Sequence, residues 1–164
     1  MTTMITAAAT LCLLWSPMER GGAPLQQPTD EDAHWPVVQV LGRAGRLRWR
    51  HSIEKLLWEE TYRAEPRGVR LVTARVWGAG AGMEPPPDAV RDGEGWVYHP
   101  DRLFAAVTLT HSPFVAPYEW CDESDRCRPL EPPNLRLRGS DAGGESSVSW
   151  QMVVKPCEIS GSSE

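Results

Sequence analysis

The chain is poor in two of the three aromatic residues, with two Phe and three Tyr, yet it carries eight Trp in 164 residues. It also lacks a basic excess. Its formal net charge of −5 argues against general nucleic-acid binding, because a phosphate backbone demands a cationic footprint. No apolar run reaches the roughly 20 residues that a membrane-crossing helix needs. A nucleophile elbow, a paired-histidine zinc signature and a cysteine with a histidine close by in sequence are all missing, so no catalytic motif is nominated and no cofactor is expected. Turn chemistry is abundant instead. Fifteen Pro and fourteen Gly separate short alternating runs, which predicts an all-β chain, a single-domain antiparallel sandwich or barrel of about seven or eight short strands.

The N-terminal stretch Met4–Trp15 is apolar and of signal-sequence length, although no Lys or Arg precedes it. Gly21 and Ala23 sit where a leader could be cut, but Pro24 follows, and Cys12 comes after Leu11 rather than the small residue a lipoprotein signal wants. Export is one reading. Retention as a membrane-associated tail is the other. The chain divides into a signal-like segment with a linker at residues 1–35, a β-domain at 36–157 and a disordered tail at 158–164.

Charge, aromatic rings and a histidine are concentrated in Arg46–Arg63. Read as two strands joined near Glu54-Lys55, period-two alternation sets Leu47, Trp49 and His51 on one face, with Trp58, Glu60 and Tyr62 returning on the same face. The other face carries Arg46, Arg48 and Arg50, a stripe expected to be solvated and paired with Glu59 and other carboxylates. With that turn, Leu47 is expected opposite Tyr62, Trp49 opposite Glu60, His51 opposite Trp58, and Arg50 opposite Glu59. His51 and Glu60 then become diagonal neighbours enclosed by Trp49 and Trp58. A carboxylate on an apolar face needs such a partner, since desolvating it unpaired is costly. A helix capped by Ser52, with Ile53, Leu56 and Leu57 on one face, is the competing reading.

The run His51-Ser52-Ile53-Glu54-Lys55, the following Trp58-Glu59-Glu60, the cluster Gly78-Ala79-Gly80-Ala81-Gly82 and the turn Asp92-Gly93-Glu94-Gly95-Trp96 together resemble the bacterial family called domain of unknown function 1850. The likeness spans roughly Val37 to Trp96. It implies an all-β fold, a place outside the cytoplasm in the periplasm or cell envelope, and the company of TAXI-type TRAP solute transporters. Transporter subunits or their small organic-acid solute would then be the partners. The chain departs from the family pattern at Leu56-Leu57, where Thr-Pro is usual, and at the loop Cys121–Cys127, which reads as an insertion.

Along the rest of the chain, Gly42-Arg43-Ala44-Gly45 is expected to reverse Val37–Leu41 into the Arg46 strand as a hairpin. Val69–Trp77 should be a strand covered partly on both faces. Gly78, Gly80 and Gly82 imitate a phosphate loop, but Met83-Glu84-Pro85-Pro86-Pro87 behind them prevents the helix start such a loop requires, which leaves a closely approached crossover. Asp92-Gly93 predicts a tight turn before Trp96–Tyr98, and Leu103–Thr110 should be a central strand. Cys121 and Cys127 are expected to form a disulfide around an acidic loop. Asp122, Glu123 and Asp125 in that loop lack both a second Cys or His pair at zinc spacing and the calcium-loop glycine, so no metal is assigned. Val148, Trp150, Met152 and Val154 alternate as a final strand.

The candidate binding or structural residues are therefore His51, Ser52, Glu54, Lys55, Glu60, Trp49 and Trp58. The function expected is a non-enzymatic accessory or binding component. The alternative is a small hydrolase or metal-dependent enzyme using His51, Glu54 and Glu60, with His111 as a further member.

Overall fold

A computed structural model of the chain describes residues 9–18, 36–52, 55–78, 84–133 and 148–157. Ile53, Glu54, Gly80, Gly82, the linker and the tail lie outside the described residues. The described residues contain no helix and twelve strands, the first six being β1 (Thr10–Pro17), β2 (Val37–Gly42), β3 (Ala44–Arg50), β4 (Leu57–Glu65), β5 (Gly68–Trp77) and β6 (Val90–Asp92). The others are β7 (Gly95–Tyr98), β8 (Arg102–Phe104), β9 (Val107–His111), β10 (Glu119–Asp122), β11 (Cys127–Pro129) and β12 (Trp150–Cys157).

These strands form two antiparallel sheets, neither closed into a barrel. One has four strands in the order β2-β1-β12-β9; the other has eight, running β11-β10-β3-β4-β5-β7-β6 with β8 also paired to β5. The all-β, single-domain expectation holds. Twelve strands replace the seven or eight expected, because several are only three residues long and one apolar run is split between the sheets.

The core lies between the sheets and draws on both. Leu11, Leu13 and Trp15 of β1 and Trp150, Met152 and Val154 of β12 meet Leu47, Tyr62, Val69, Leu71 and Trp120 of the larger sheet. Trp15 packs edge-on against Trp150, with ring centroids 6.3 Å apart and planes at 84°, a geometry that contributes roughly 0.5–1.5 kcal/mol beyond the area it buries. Trp120 of β10 donates its indole N–H to the Leu41 carbonyl of β2 at 3.2 Å, joining the two sheets. Gly45 makes room for that indole. A Cβ at Gly45 would collide with the Trp120 ring and sit 2.7 Å from the Cys121 carbonyl oxygen.

Four expectations are corrected by this arrangement. Thr10–Pro17, assigned to a signal-like segment outside the β-domain, is an inner strand paired with both β2 and β12, and Leu11, Leu13 and Trp15 are spent in the core. The Gly42–Gly45 reversal makes no hairpin: Gly42, at φ 105°, turns the chain out of one sheet and β3 enters the other. Leu103–Thr110 is not one central strand, because it breaks after Phe104 into β8, against β5, and β9, at the edge of the smaller sheet. The register of the β3–β4 hairpin is also displaced, with consequences for the candidate site. Val69–Trp77 lies within β5 as expected, entered from a Pro66-Arg67 turn across which Glu65 and Gly68 pair, and Gly93, at φ 61°, makes the expected turn from β6 into β7.

Candidate functional site

The site is built on the inner face of β3 and β4. The strand reading of this stretch holds over the helical one, and Trp58, Glu60 and Tyr62 do share a face with Leu47 and Trp49. The pairing is displaced by two residues from the expected one: Leu47 faces Glu60, Trp49 faces Trp58, and on the outer side Arg48 faces Glu59. The cause lies in the turn. The His51 amide donates to the Leu56 carbonyl at 2.8 Å and the Lys55 amide reaches back to the His51 carbonyl at 3.0 Å. Lys55 takes the left-handed conformation, at φ 55°, and Arg50 holds its carbonyl at 2.6 Å. Four residues, not two, thus make the loop.

This register separates the pair on which the sequence reading relied. His51 stands four positions beyond Leu47, the partner of Glu60, and at about 3.4 Å per strand residue that is roughly 14 Å. His51 belongs to the turn with exposed Ser52 and Lys55. Glu60 meets a different set of groups. The Tyr62 hydroxyl donates to its Oε2, and all three tyrosines of the chain surround it. Burial first, and then the Glu60 charge, push the Tyr62, Tyr98 and Tyr118 phenols above their ordinary pKa. Tyr98 reaches this face because it pairs with Ala74, itself opposite Glu60.

Trp49 and Trp58 stack beside the carboxylate, with centroids 5.7 Å apart and planes at 25°, and Tyr118 tilts against Trp49 at 6.0 Å. Trp49, Trp58, Glu60, Tyr98 and Tyr118 are all half-buried. The Trp58 indole nitrogen is buried with no acceptor. Glu60 forms no ion pair with any described residue.

The opposite face of the same strands is built differently. Glu59 lies between Arg46 at 3.7 Å and Arg48 at 3.3 Å, Arg46 also reaches Asp125, and Arg48 reaches Glu119 at 3.9 Å. The arginine stripe is carboxylate-paired, as expected, at Arg46 and Arg48, which are half-buried rather than fully solvated; exposed Arg50 instead donates to the Lys55 carbonyl, and it is Arg48 that opposes Glu59.

Gly78 takes φ 106° directly after β5, and a Cβ there would come within 2.8 Å of the Leu56 side chain, consistent with a close crossover at that glycine. The expected Cys121–Cys127 disulfide is formed. A second, Cys12–Cys157, joins β1 to β12 across 145 positions; no local sequence signal announces it. The acidic loop closes on itself. Asp122 accepts from the amides of Ser124 at 2.8 Å and Arg126 at 3.1 Å and from Arg126 Nε at 3.0 Å, and these bonds hold its carboxyl below the usual range. Among the described residues no three His, Cys, Asp or Glu converge as a metal cage. His111 lies in the other sheet, edge-on to Trp15 at 5.9 Å, and burial lowers its pKa despite the opposing influence of Glu131.

The fold and site define a disulfide-bonded, all-antiparallel β-domain of two facing sheets, with a carboxylate set among aromatic rings at the hairpin. A family model for a domain of unknown function, DUF1850, matches residues 46–130. The chain belongs to that family, and the match runs through the Cys121–Cys127 loop rather than stopping before it. No curated protein and no solved structure matches the chain.

Proposed function

We propose that this chain is an extracytoplasmic, non-enzymatic accessory or binding component of a TAXI-type TRAP solute transporter, engaging a transporter subunit or its small organic-acid solute. The observation that carries the compartment is the pair of disulfides, Cys12–Cys157 and Cys121–Cys127, because such bonds persist where the surroundings are oxidising. The transporter partnership rests on the family resemblance. In this reading β1 stays with the working protein, since a cut near Gly21 or Ala23 would remove a core strand and one half of a disulfide.

The enzyme alternative draws on His51, Glu54 and Glu60, with His111 as a further member; it finds less support, because the hairpin register sets His51 four positions from the partner of Glu60, Glu54 lies outside the described residues, and His111 is in the other sheet. A reporter that fluoresces only in the cytoplasm, fused after Glu164, should stay dark, and deletion of the protein should impair solute uptake. A bright reporter, or uptake unchanged by deletion, would refute the proposal.

A further inference from the structure

We propose that the inner face around Glu60 binds a small organic ammonium ion, whose alkyl shell lies against Trp49, Trp58 and Tyr118 and whose charge faces the Glu60 carboxylate. The inference goes beyond the transporter reading above and does not depend on it, since its ligand carries the opposite charge from an organic acid. Comparison with the other partly buried carboxylates motivates it. Glu59, with 14% of its side chain exposed, is held by Arg46 and Arg48, and Glu65, at 24%, is held by Arg63 and Arg70. Glu60 has only the Tyr62 hydroxyl on Oε2, with no cation among the described residues. A half-desolvated carboxylate in that position lacks a counter-charge that a ligand can bring.

The surroundings decide what kind of cation fits. A hard metal ion wants six or more oxygen ligands, whereas here one carboxylate lies among indole and phenol rings. Aromatic faces attract cations through their quadrupole and take up alkyl groups at the same time. The Trp49–Trp58 stack with Tyr118 leaning on it offers both, and each of these residues is half-buried rather than fully enclosed. An anion would be repelled by Glu60. A neutral molecule could lie on the rings but would leave the carboxylate uncompensated. The arginines of β3 are on the other side of the sheet and already engaged.

Isothermal titration of the full, oxidised chain tests this with tetramethylammonium, choline, the neutral choline isostere 3,3-dimethylbutanol, and succinate. The two cations should bind saturably, the isostere at least about tenfold more weakly, and succinate not at all. Glu60→Gln and Trp49→Leu should each weaken cation binding about tenfold or more, while Glu59→Gln, on the opposite face of the same strand, should leave it unchanged. If Glu60→Gln does not fold, the comparison of cation with isostere on the unaltered chain still reads the charge requirement. Absence of cation binding at about 50 mM, equal binding of the isostere, or cation binding indifferent to Glu60→Gln would overturn the site. These outcomes are independent of reporter location and solute uptake, so the site and the transporter role can fail separately.

Discussion

Removing the Cys12–Cys157 disulfide should cost the fold more than removing Cys121–Cys127, although both are single bonds between neighbouring strands. The difference comes from the unfolded chain. A cross-link restricts that ensemble in proportion to the logarithm of the loop it closes, and the two loops span 145 and 6 positions. The chain-entropy relation then gives about 5 kcal/mol for the long loop and about 2 kcal/mol for the short one. Set against a domain stability of about 5–15 kcal/mol, the first loss leaves a marginal protein and the second does not. Alanine is the better replacement at Cys12, which is only 2% exposed, because a buried serine hydroxyl would add a cost of its own. Urea unfolding followed by Trp fluorescence, on Cys12→Ala/Cys157→Ala and Cys121→Ala/Cys127→Ala, reads both values directly. Equal losses, or a smaller loss for the long loop, would refute the view that this bond staples the ends of the domain together.

A double-mutant cycle on His51→Gln and Glu60→Gln should be additive within about 0.5 kcal/mol, whereas Glu60→Gln with Tyr62→Phe should couple by about 0.5–3 kcal/mol. Coupling in the first cycle would contradict the hairpin register. Gly45→Ala should destabilise by about 1–3 kcal/mol or more, since it forces the Trp120 indole off β3; an unchanged melting temperature would refute that packing. The buried Tyr62 phenol is held protonated above its ordinary pKa, so its contribution is complete below the unfolded value of about 10 and declines as pH rises beyond it, by up to about 1.4 kcal/mol per pH unit. Tyr62→Phe should flatten that alkaline loss, as measured by urea midpoints across the range. His111 is shifted the other way: its contribution is present above about pH 6.5 and lost as pH falls, and His111→Gln should reduce the acid-side loss of stability.

The parity of the central hairpin was legible in the sequence, because Trp58, Glu60 and Tyr62 alternate with Glu59 and Thr61 and only one such face can be apolar. Its register was not. A left-handed Lys55 and a four-residue loop moved every cross-strand partner by two positions while leaving each side chain on its expected face. Glu60 therefore lies on the face its alternation implies, but beside Tyr62 rather than His51. Tyr98 and Tyr118 carry no local signal of this role, because they lie far from Glu60 in sequence and reach it only through the β5–β7 and β3–β10 pairings. Local turns such as Asp92-Gly93 and the short Cys121–Cys127 loop could be read from adjacent residues. The Thr10–Pro17 strand could not, since an apolar stretch near the N-terminus has the same composition whether it serves as a leader or as the centre of a sheet. Nor could the break after Phe104: in Leu103–Thr110 nothing in the apolar pattern marks where the chain leaves one sheet for the other.

The proposed place of this disulfide-stapled β-domain outside the cytoplasm is tested most directly by trapping thiols in intact, acid-quenched cells with a mass-adding maleimide. All four cysteines should be protected until a reductant is added after denaturation, and then react together. Free thiols at Cys12, Cys121, Cys127 or Cys157 in the quenched cells would contradict both the staples and the compartment.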